Sequence, residues 1–140
     1  MIFKLDMIPP TVTGQMHKVG IRNGKPFFYD PPEIKDVRQK LMAHLIRHKP
    51  ETPLTGPVVL IVTWLYPIKG KHTHMEYRTS RPDTDNLQKI LKDCMTECGF
   101  WKDDAQVARE IIEKRWVDAE WSGIAIAVYD AEKGEDNDII

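Results

Sequence analysis

The fold of this chain is decided by the segment RPDTDNLQKILKDCMTECGFWKDDAQV, residues 81–107. From Asp85 to Cys98 its apolar residues recur at helical spacing, and Gly99 is a typical C-terminal stop. A second acidic pair, Asp103 and Asp104, follows almost at once. The segment therefore predicts a helix with carboxylates before its first turn and again just past its end.

Apolar patterning on both sides of this helix predicts three strands. GPVVLIVTWLYP, residues 56–67, is continuously apolar and rich in β-branched side chains, which indicates a strand buried on both faces. Residues 106–117 fit a helix or a strand, and their β-branched content and Trp116 favour a strand. GIAIAVY, residues 123–129, is predicted as the last strand.

The N-terminal part predicts a short strand, an irregular stretch and a second helix. Residues 2–7 alternate in polarity and precede a proline pair, whereas residues 11–30 have little periodicity and predict a long loop. The helix is expected to have Asp30 as N-cap, Pro31 as its first residue and Glu33 as the acid of a capping box. Its apolar face repeats up to Leu45, and a proline at position 50 ends the run.

These elements predict an α/β (α+β) domain with a small mixed sheet of about four strands and two main helices packed on it. The 140 residues suffice for one domain, which we place at residues 1–129. Residues 130–140 hold five acidic residues and one lysine, so they carry a net charge of −4. The whole chain carries −1, which leaves +3 on residues 1–129, and we predict a disordered acidic tail.

Composition excludes several other classes of protein. The N-terminus lacks the pattern of a signal peptide, and no apolar run approaches the ~20 residues that span a bilayer. Cys94 and Cys98 lie four apart on the predicted helix and are best explained as reduced core thiols. We therefore expect a cytoplasmic protein that does not contact membranes.

The spacing of Asp83, Asp85 and Lys89 suggests a charged site at the start of the helix. Side chains two apart share a side in extended chain but not in a helix. The two carboxylates converge if Asp83 precedes the helix and Asp85 caps it, and Lys89 then lies one turn further on. Helix capping alone explains one of these acids, but not both together with Asp103 and Asp104.

Clustered carboxylates repel one another unless cations lie among them. Mg²⁺, for which Mn²⁺ is an expected substitute, prefers carboxylate, water and phosphate oxygens. An EF-hand is excluded because Gln88 and Cys94 occupy the positions that require Gly and Glu. No glycine-rich phosphate-binding motif occurs, so no nucleotide cofactor is expected.

A basic loop directly precedes these acids. It carries Lys69, Lys71, Arg78 and Arg81, and the N-terminal stretch adds Lys18 and Arg22. The loop fits an ordinary exposed segment, but flexible cations beside a metal site also suit contacts to DNA phosphates. A phosphodiester backbone is therefore the substrate that these residues favour.

The same segment, residues 81–107, resembles the signature region of the RusA family of Holliday junction resolvases. In that family a D-x-D-N-L-x-K segment opens a helix, and an aromatic residue and D-D-x-Q-V follow it, as PDTDNLQK and GFWKDDAQV do here. The resemblance implies a RusA-like fold and a homodimeric, Mg²⁺-dependent endodeoxyribonuclease that nicks four-way DNA junctions symmetrically. It assigns metal binding and catalysis to Asp83, Asp85 and Asp104, a catalytic role to Lys89, and leaves Asp103 as an alternative ligand.

The chain departs from the family where a known member has an arginine run before the first acid, because TSRP, residues 79–82, stands here. Two other functions stay open: a nuclease for flaps or other branched DNA, and a junction-binding protein without catalysis. Helix length also raises the question of which chain supplies Asp104. The helix needs about 21 Å, whereas the five residues back to Asp104 span at most ~17 Å, which favours a site shared between two chains.

Overall fold

A computed structural model describes residues 1–13, 18–29 and 32–133 of the chain. These described residues form six strands: β1 (Ile2–Leu5), β2 (Lys18–Arg22), β3 (Lys25–Tyr29), β4 (Val58–Pro67), β5 (Val107–Val117) and β6 (Gly123–Asp130). The two α-helices are α1 (Pro32–Leu45) and α2 (Thr84–Cys98). Single 3₁₀ turns lie at Asp104–Gln106 and Ala119–Trp121.

The predicted mixed sheet of four strands is confirmed. Its order is β1-β6-β4-β5, with β4 antiparallel to β6 and parallel to β5. Val58 pairs with Val107 at one end of the parallel ladder, and Pro67 pairs with Val117 at the other. The segment between β4 and β5 must therefore return along the whole sheet, and α2 makes that return.

The start and the end of α2 follow from local chemistry. Asp83 is the N-cap residue and has an extended backbone, so the helix begins at Thr84. The prediction that Asp85 caps the helix is therefore wrong: Asp85 lies within the first turn. At the other end Gly99 has φ 93, and its N–H bonds the carbonyls of Met95 and Thr96, as the predicted glycine stop requires.

The main core lies on one face of the sheet. Alternate β4 residues from Leu60 to Tyr66 are buried in a cluster with apolar side chains of both helices. The intervening residues, such as Ile61 and Leu65, are only half-buried in the described chain. The prediction that this strand is buried on both faces is therefore wrong, because an unbroken apolar run does not show how many faces are covered.

A hairpin replaces part of the predicted N-terminal loop. β2 and β3 pair antiparallel and form a separate two-stranded sheet. Asn23 and Gly24 connect them with φ values of 54 and 74, the backbone of a two-residue type I′ turn. The prediction of an irregular loop is wrong here, although the Asn-Gly pair is itself a strong hairpin signal.

The remaining predictions divide between confirmed and untested. Both cysteines are buried and free, as expected of core thiols, and burial raises the pKa of Cys94 to about 11. The predicted cap and first residue of α1, Asp30 and Pro31, lie outside the described residues. Neither α1 nor α2 has the length and hydropathy needed to cross a bilayer.

The last strand extends one residue beyond residue 129, the predicted end of the domain. β6 ends at Asp130, whose carboxylate accepts hydrogen bonds from the N–H groups of Glu132 and Lys133. These bonds lower the pKa of Asp130. Residues 130–133 thus belong to the folded part, whereas residues 134–140 lie outside the described chain.

One buried polar contact joins the sheet to α2. The indole N–H of Trp64 donates to Oε1 of Gln88 at 3.0 Å, and Gln88 is 2% exposed. Buried indole groups usually have such an acceptor, because an unsatisfied buried donor is costly. The contact fixes the rotation of α2 and thereby the direction in which Asp85 and Lys89 point.

We predict that Gln88→Leu lowers the free energy of unfolding by about 1–3 kcal/mol, because it leaves the Trp64 N–H without an acceptor. Urea unfolding followed by tryptophan fluorescence measures this loss. Gln39→Leu, the same change at an exposed position of α1, serves as the control and should shift stability by less than about 0.5 kcal/mol. Equal effects of the two changes would contradict the structural role of the Trp64 contact.

Candidate active site

The start of α2 presents two carboxylates that the fold does not use. Asp83 occupies the N-cap position, yet its side chain makes no capping hydrogen bond, and Asp85 lies in the first turn. Both residues are exposed. The positive end of the helix dipole favours these anions. Because neither carboxylate caps the helix, both stay available for a ligand.

An open groove runs between α2 and β5. Asp85 and Lys89 line it from the helix, and Asp104 and Glu110 line it from the β5 side. In its middle the Glu110 carboxylate accepts hydrogen bonds from Nε2 of Gln88 at 2.9 Å and from Nζ of Lys92 at 3.4 Å. Asp85 and Asp104 therefore line the same groove, and the Glu110 carboxylate in it is paired with Gln88 and Lys92.

Gln88 and Glu110 were missed by sequence reasoning. Gln88 lies between apolar positions of the helical pattern, and Glu110 lies in a strand whose orientation depends on the β4 pairing. The one usable signal was Trp64, since an indole in an otherwise apolar strand needs a polar partner.

The two residues of the second acidic pair, Asp103 and Asp104, have different structural roles. Oδ1 of Asp103 accepts the N–H of Ala105 at 2.9 Å and caps the 3₁₀ turn Asp104–Gln106. Gln106 completes this capping box, and its Nε2 donates to the carbonyls of Leu54 and Gly56. Asp104 is exposed and takes no part in the cap. The geometry favours Asp104 over Asp103 as the available carboxylate.

Asp83 and Asp104 lie beside different parts of β5. The carbonyl of Pro82, next to Asp83, accepts a hydrogen bond from Nζ of Lys114 at 2.7 Å. Asp104 instead precedes Val107, the first residue of β5. Along the strand, the backbone of Val107 and that of Lys114 are seven residue steps apart, about 23 Å at ~3.3 Å per step. Within residues 1–13, 18–29 and 32–133, no three His, Cys, Asp or Glu side chains lie close enough to hold a metal ion together.

The donor set at the start of α2 nevertheless suits a hard divalent cation. Asp83 and Asp85 offer exposed carboxylate oxygens, which Mg²⁺ prefers, and leave room for water and phosphate. Two protein carboxylates with several waters are common for Mg²⁺. A third carboxylate from the same chain would have to cross the length of the groove.

The predicted DNA-contacting cations do not share one environment. Lys69, Lys71 and Arg81 are exposed on the loop before α2, and Arg22 is exposed on the hairpin. The side chain of Lys18 lies outside the described part of the structure. Arg78 is half-buried: its guanidinium lies 4.0 Å from the ring centroid of Tyr66 and 4.5 Å from that of Trp116. The predicted role of Arg78 in phosphate binding stays a prediction.

Comparison with known proteins finds a matching family model and several similar proteins. The family model described as endodeoxyribonuclease RusA matches residues 8–129. A crossover junction endodeoxyribonuclease rusA of Lactococcus phage r1t is 39% identical over 109 residues, which cover 75% of this chain and 79% of the phage protein. The Bacillus subtilis (strain 168) protein YqaN is 32% identical over 119 residues, covering 74% of this chain and 83% of YqaN. The crossover junction endodeoxyribonuclease RusA of Escherichia coli (strain K12) matches over 34 residues at 59% identity, 24% of this chain and 28% of its own length.

We predict that Asp103→Ala lowers the free energy of unfolding by about 1 kcal/mol, because it removes the cap of the 3₁₀ turn before β5. Asp104→Ala is the matched control and should change stability by less than about 0.5 kcal/mol. Thermal unfolding of both variants tests this division. A larger loss for Asp104→Ala than for Asp103→Ala would reverse the two assignments.

Proposed function

Because the chain belongs to the RusA family of endodeoxyribonucleases, we propose that it resolves four-way DNA junctions by paired symmetric nicks. In this proposal it acts as a homodimer and depends on Mg²⁺, for which Mn²⁺ substitutes. The reaction is hydrolysis of one phosphodiester bond in each of two opposed strands.

The observation that carries this proposal is the pair of unused carboxylates at the start of α2. Asp83 stands at an N-cap without capping, and Asp85 faces an open groove beside Lys89. An acid that served only the helix would bond the first backbone N–H groups, as Asp103 does at the 3₁₀ turn. The free carboxylates favour a role in chemistry over the non-catalytic alternative.

Each residue then has a distinct task. Asp83 and Asp85 hold the divalent cation through carboxylate oxygens, and Lys89, one turn along α2, offers positive charge to the scissile phosphate. When bound, the metal ion lowers the pKa of a water and neutralises charge that builds up on the phosphoryl group. Lys69, Lys71 and Arg81, on the loop that leads into α2, would contact the DNA backbone on either side.

We propose that the third carboxylate comes from the other subunit. Asp83 follows Pro82, whose carbonyl is bound by Lys114, whereas Asp104 lies just before Val107, and no three acids meet within the described residues. A two-fold axis that sets two such grooves antiparallel would place the Asp85 end of each against the Asp104 end of the other. The same symmetry supplies two equivalent sites for the two strands of a roughly two-fold junction.

A substrate competition distinguishes the proposal from its alternatives. Four-way junction, 5′ flap and linear duplex with the same sequences are labelled on different strands and mixed with limiting protein and Mg²⁺. We expect the four-way junction to be nicked at least about tenfold faster than the others. Preferential cutting of the flap would favour the branched-DNA nuclease, and binding without any Mg²⁺-dependent nick would favour the non-catalytic junction-binding protein.

We predict that Asp83→Asn, Asp85→Asn and Asp104→Asn each reduce nicking by about 100-fold or more while junction binding stays equal or tightens. Asparagine keeps the shape of the side chain but removes the charge that holds Mg²⁺ and repels phosphate. Gel-shift titration in Ca²⁺ and single-turnover cleavage in Mg²⁺ measure the two effects. A variant that cuts at the wild-type rate would remove its residue from the site.

We predict that mixing Asp83→Asn chains with Asp104→Asn chains restores nicking. If the site is shared, the mixed dimer has one site with both acids intact and one with both changed, so one strand per junction is cut. Strand-specific labels and refolding of the mixture from denaturant, to exchange subunits, provide the measurement. An inactive mixture with demonstrated heterodimers would mean that each site is built from one chain.

A further inference from the structure

The segment that leads into Asp83 is held by two basic side chains. Nζ of Lys114 donates to the carbonyls of Ser80 and Pro82 at 2.8 and 2.7 Å. Between them, Nη2 of Arg78 donates to the carbonyl of Arg81. Three successive carbonyls directly before the first acid are therefore bound by cations, and Asp83 is the next residue.

Lys114 comes from a rigid part of the molecule. It lies in β5 and pairs with Trp64 of β4, and its side chain shares the groove-facing side of the strand with Glu110 and Ile112. The segment is also tied to β5 by its backbone, since the N–H of Arg78 bonds the carbonyl of Lys114 at 2.9 Å. The loop thus takes its position from the central sheet rather than from its own sequence.

Arg78 is fixed in turn by stacked rings. Its guanidinium packs against Tyr66 and Trp116, and His72 stacks on Trp116 with 4.4 Å between centroids. The Tyr66 hydroxyl donates to the carbonyl of Pro10 at 2.7 Å. Cation–π contacts of this kind are worth more when partly desolvated, and burial of Arg78 lowers its pKa. This arrangement leaves Arg78 little freedom to move.

The carboxylate of the first acid acts on Lys114. Partial burial lowers the pKa of Lys114, the nearby Arg78 cation lowers it further, and the Asp83 carboxylate opposes both. Lys114 thus interacts electrostatically with Asp83, yet its hydrogen bonds are made to the backbone carbonyls of Ser80 and Pro82. It therefore acts on the position of Asp83 through the chain.

We propose that Lys114 is a positioning residue of the metal site: by binding the Ser80 and Pro82 carbonyls, together with Arg78 on the Arg81 carbonyl, it fixes the Asp83 carboxylate for the divalent cation. The proposal rests on the function proposed above. Without Lys114, water molecules would replace it as hydrogen-bond donors to the carbonyls of Ser80 and Pro82, and the backbone before Asp83 would be less restrained. The divalent cation would then lose a preorganised carboxylate ligand. Removing Lys114 also removes its repulsion of the divalent cation, which favours metal binding. Water and salt screen this opposing effect.

The test compares Lys114→Met, Lys114→Arg and the control Lys40→Met, an exposed lysine on α1. Mn²⁺ binding to the protein with a non-cleavable phosphorothioate four-way junction is measured from the electron paramagnetic resonance signal of free Mn²⁺. Junction affinity in Ca²⁺ over a salt series and the melting temperature are measured on the same samples. We expect Lys114→Met to weaken Mn²⁺ binding about tenfold, with junction affinity and its salt slope unchanged.

Lys114→Arg keeps donors that reach both carbonyls, so we expect it to recover most of the Mn²⁺ affinity, and Lys40→Met should equal the wild type. Unchanged or tighter Mn²⁺ binding by Lys114→Met would overturn the proposal. So would a weaker junction affinity with a smaller salt slope, which identifies a phosphate contact, or a lower melting temperature with Mn²⁺ affinity intact. If the wild-type chain neither binds Mn²⁺ nor nicks junctions, the proposed function itself fails.

Discussion

The parallel pairing of β4 with β5 is the constraint on which the rest of the site depends. Two neighbouring strands that point the same way need a connection that returns along the full sheet, and α2 is that connection. The acids at the beginning of α2 and those just past its end therefore lie near opposite ends of β5. This placement is the reason for which we propose a metal site shared between two chains.

The acidic residues of the signature segment differ in what the fold asks of them. Asp103 is consumed by the capping box with Gln106, which also ties the 3₁₀ turn to the carbonyls of Leu54 and Gly56. Asp83 and Asp85 are held in place by the helix and by the bound carbonyls before it, while their carboxylates stay exposed. Neighbouring exposed carboxylates repel one another, and a bound cation relieves that repulsion. This arrangement therefore favours a cation-binding site.

Much of this arrangement could be predicted from the sequence, because it depends on local patterns. The apolar spacing and the glycine stop of α2 gave its length within a residue, and β-branched content gave β5 its strand assignment. The misses arose where tertiary contacts decide. The contacts of Arg78 with Tyr66 and Trp116 could not be predicted from its place in a basic loop, because both rings are distant in sequence. In the sequence, nothing distinguishes Lys114 from other strand lysines. Its contact with the loop of Ser80 and Pro82 becomes visible only in the paired strand β5.

Locating the metal ion in crystals of the protein grown with Mn²⁺, from the anomalous diffraction of manganese, tests the shared site most directly. A shared site predicts two peaks per dimer, each within about 2.5 Å of carboxylate oxygens of Asp83 and Asp85 from one chain and Asp104 of the partner subunit. A peak bound only by acids of a single chain, with Asp104 turned away from every subunit's metal, would contradict it.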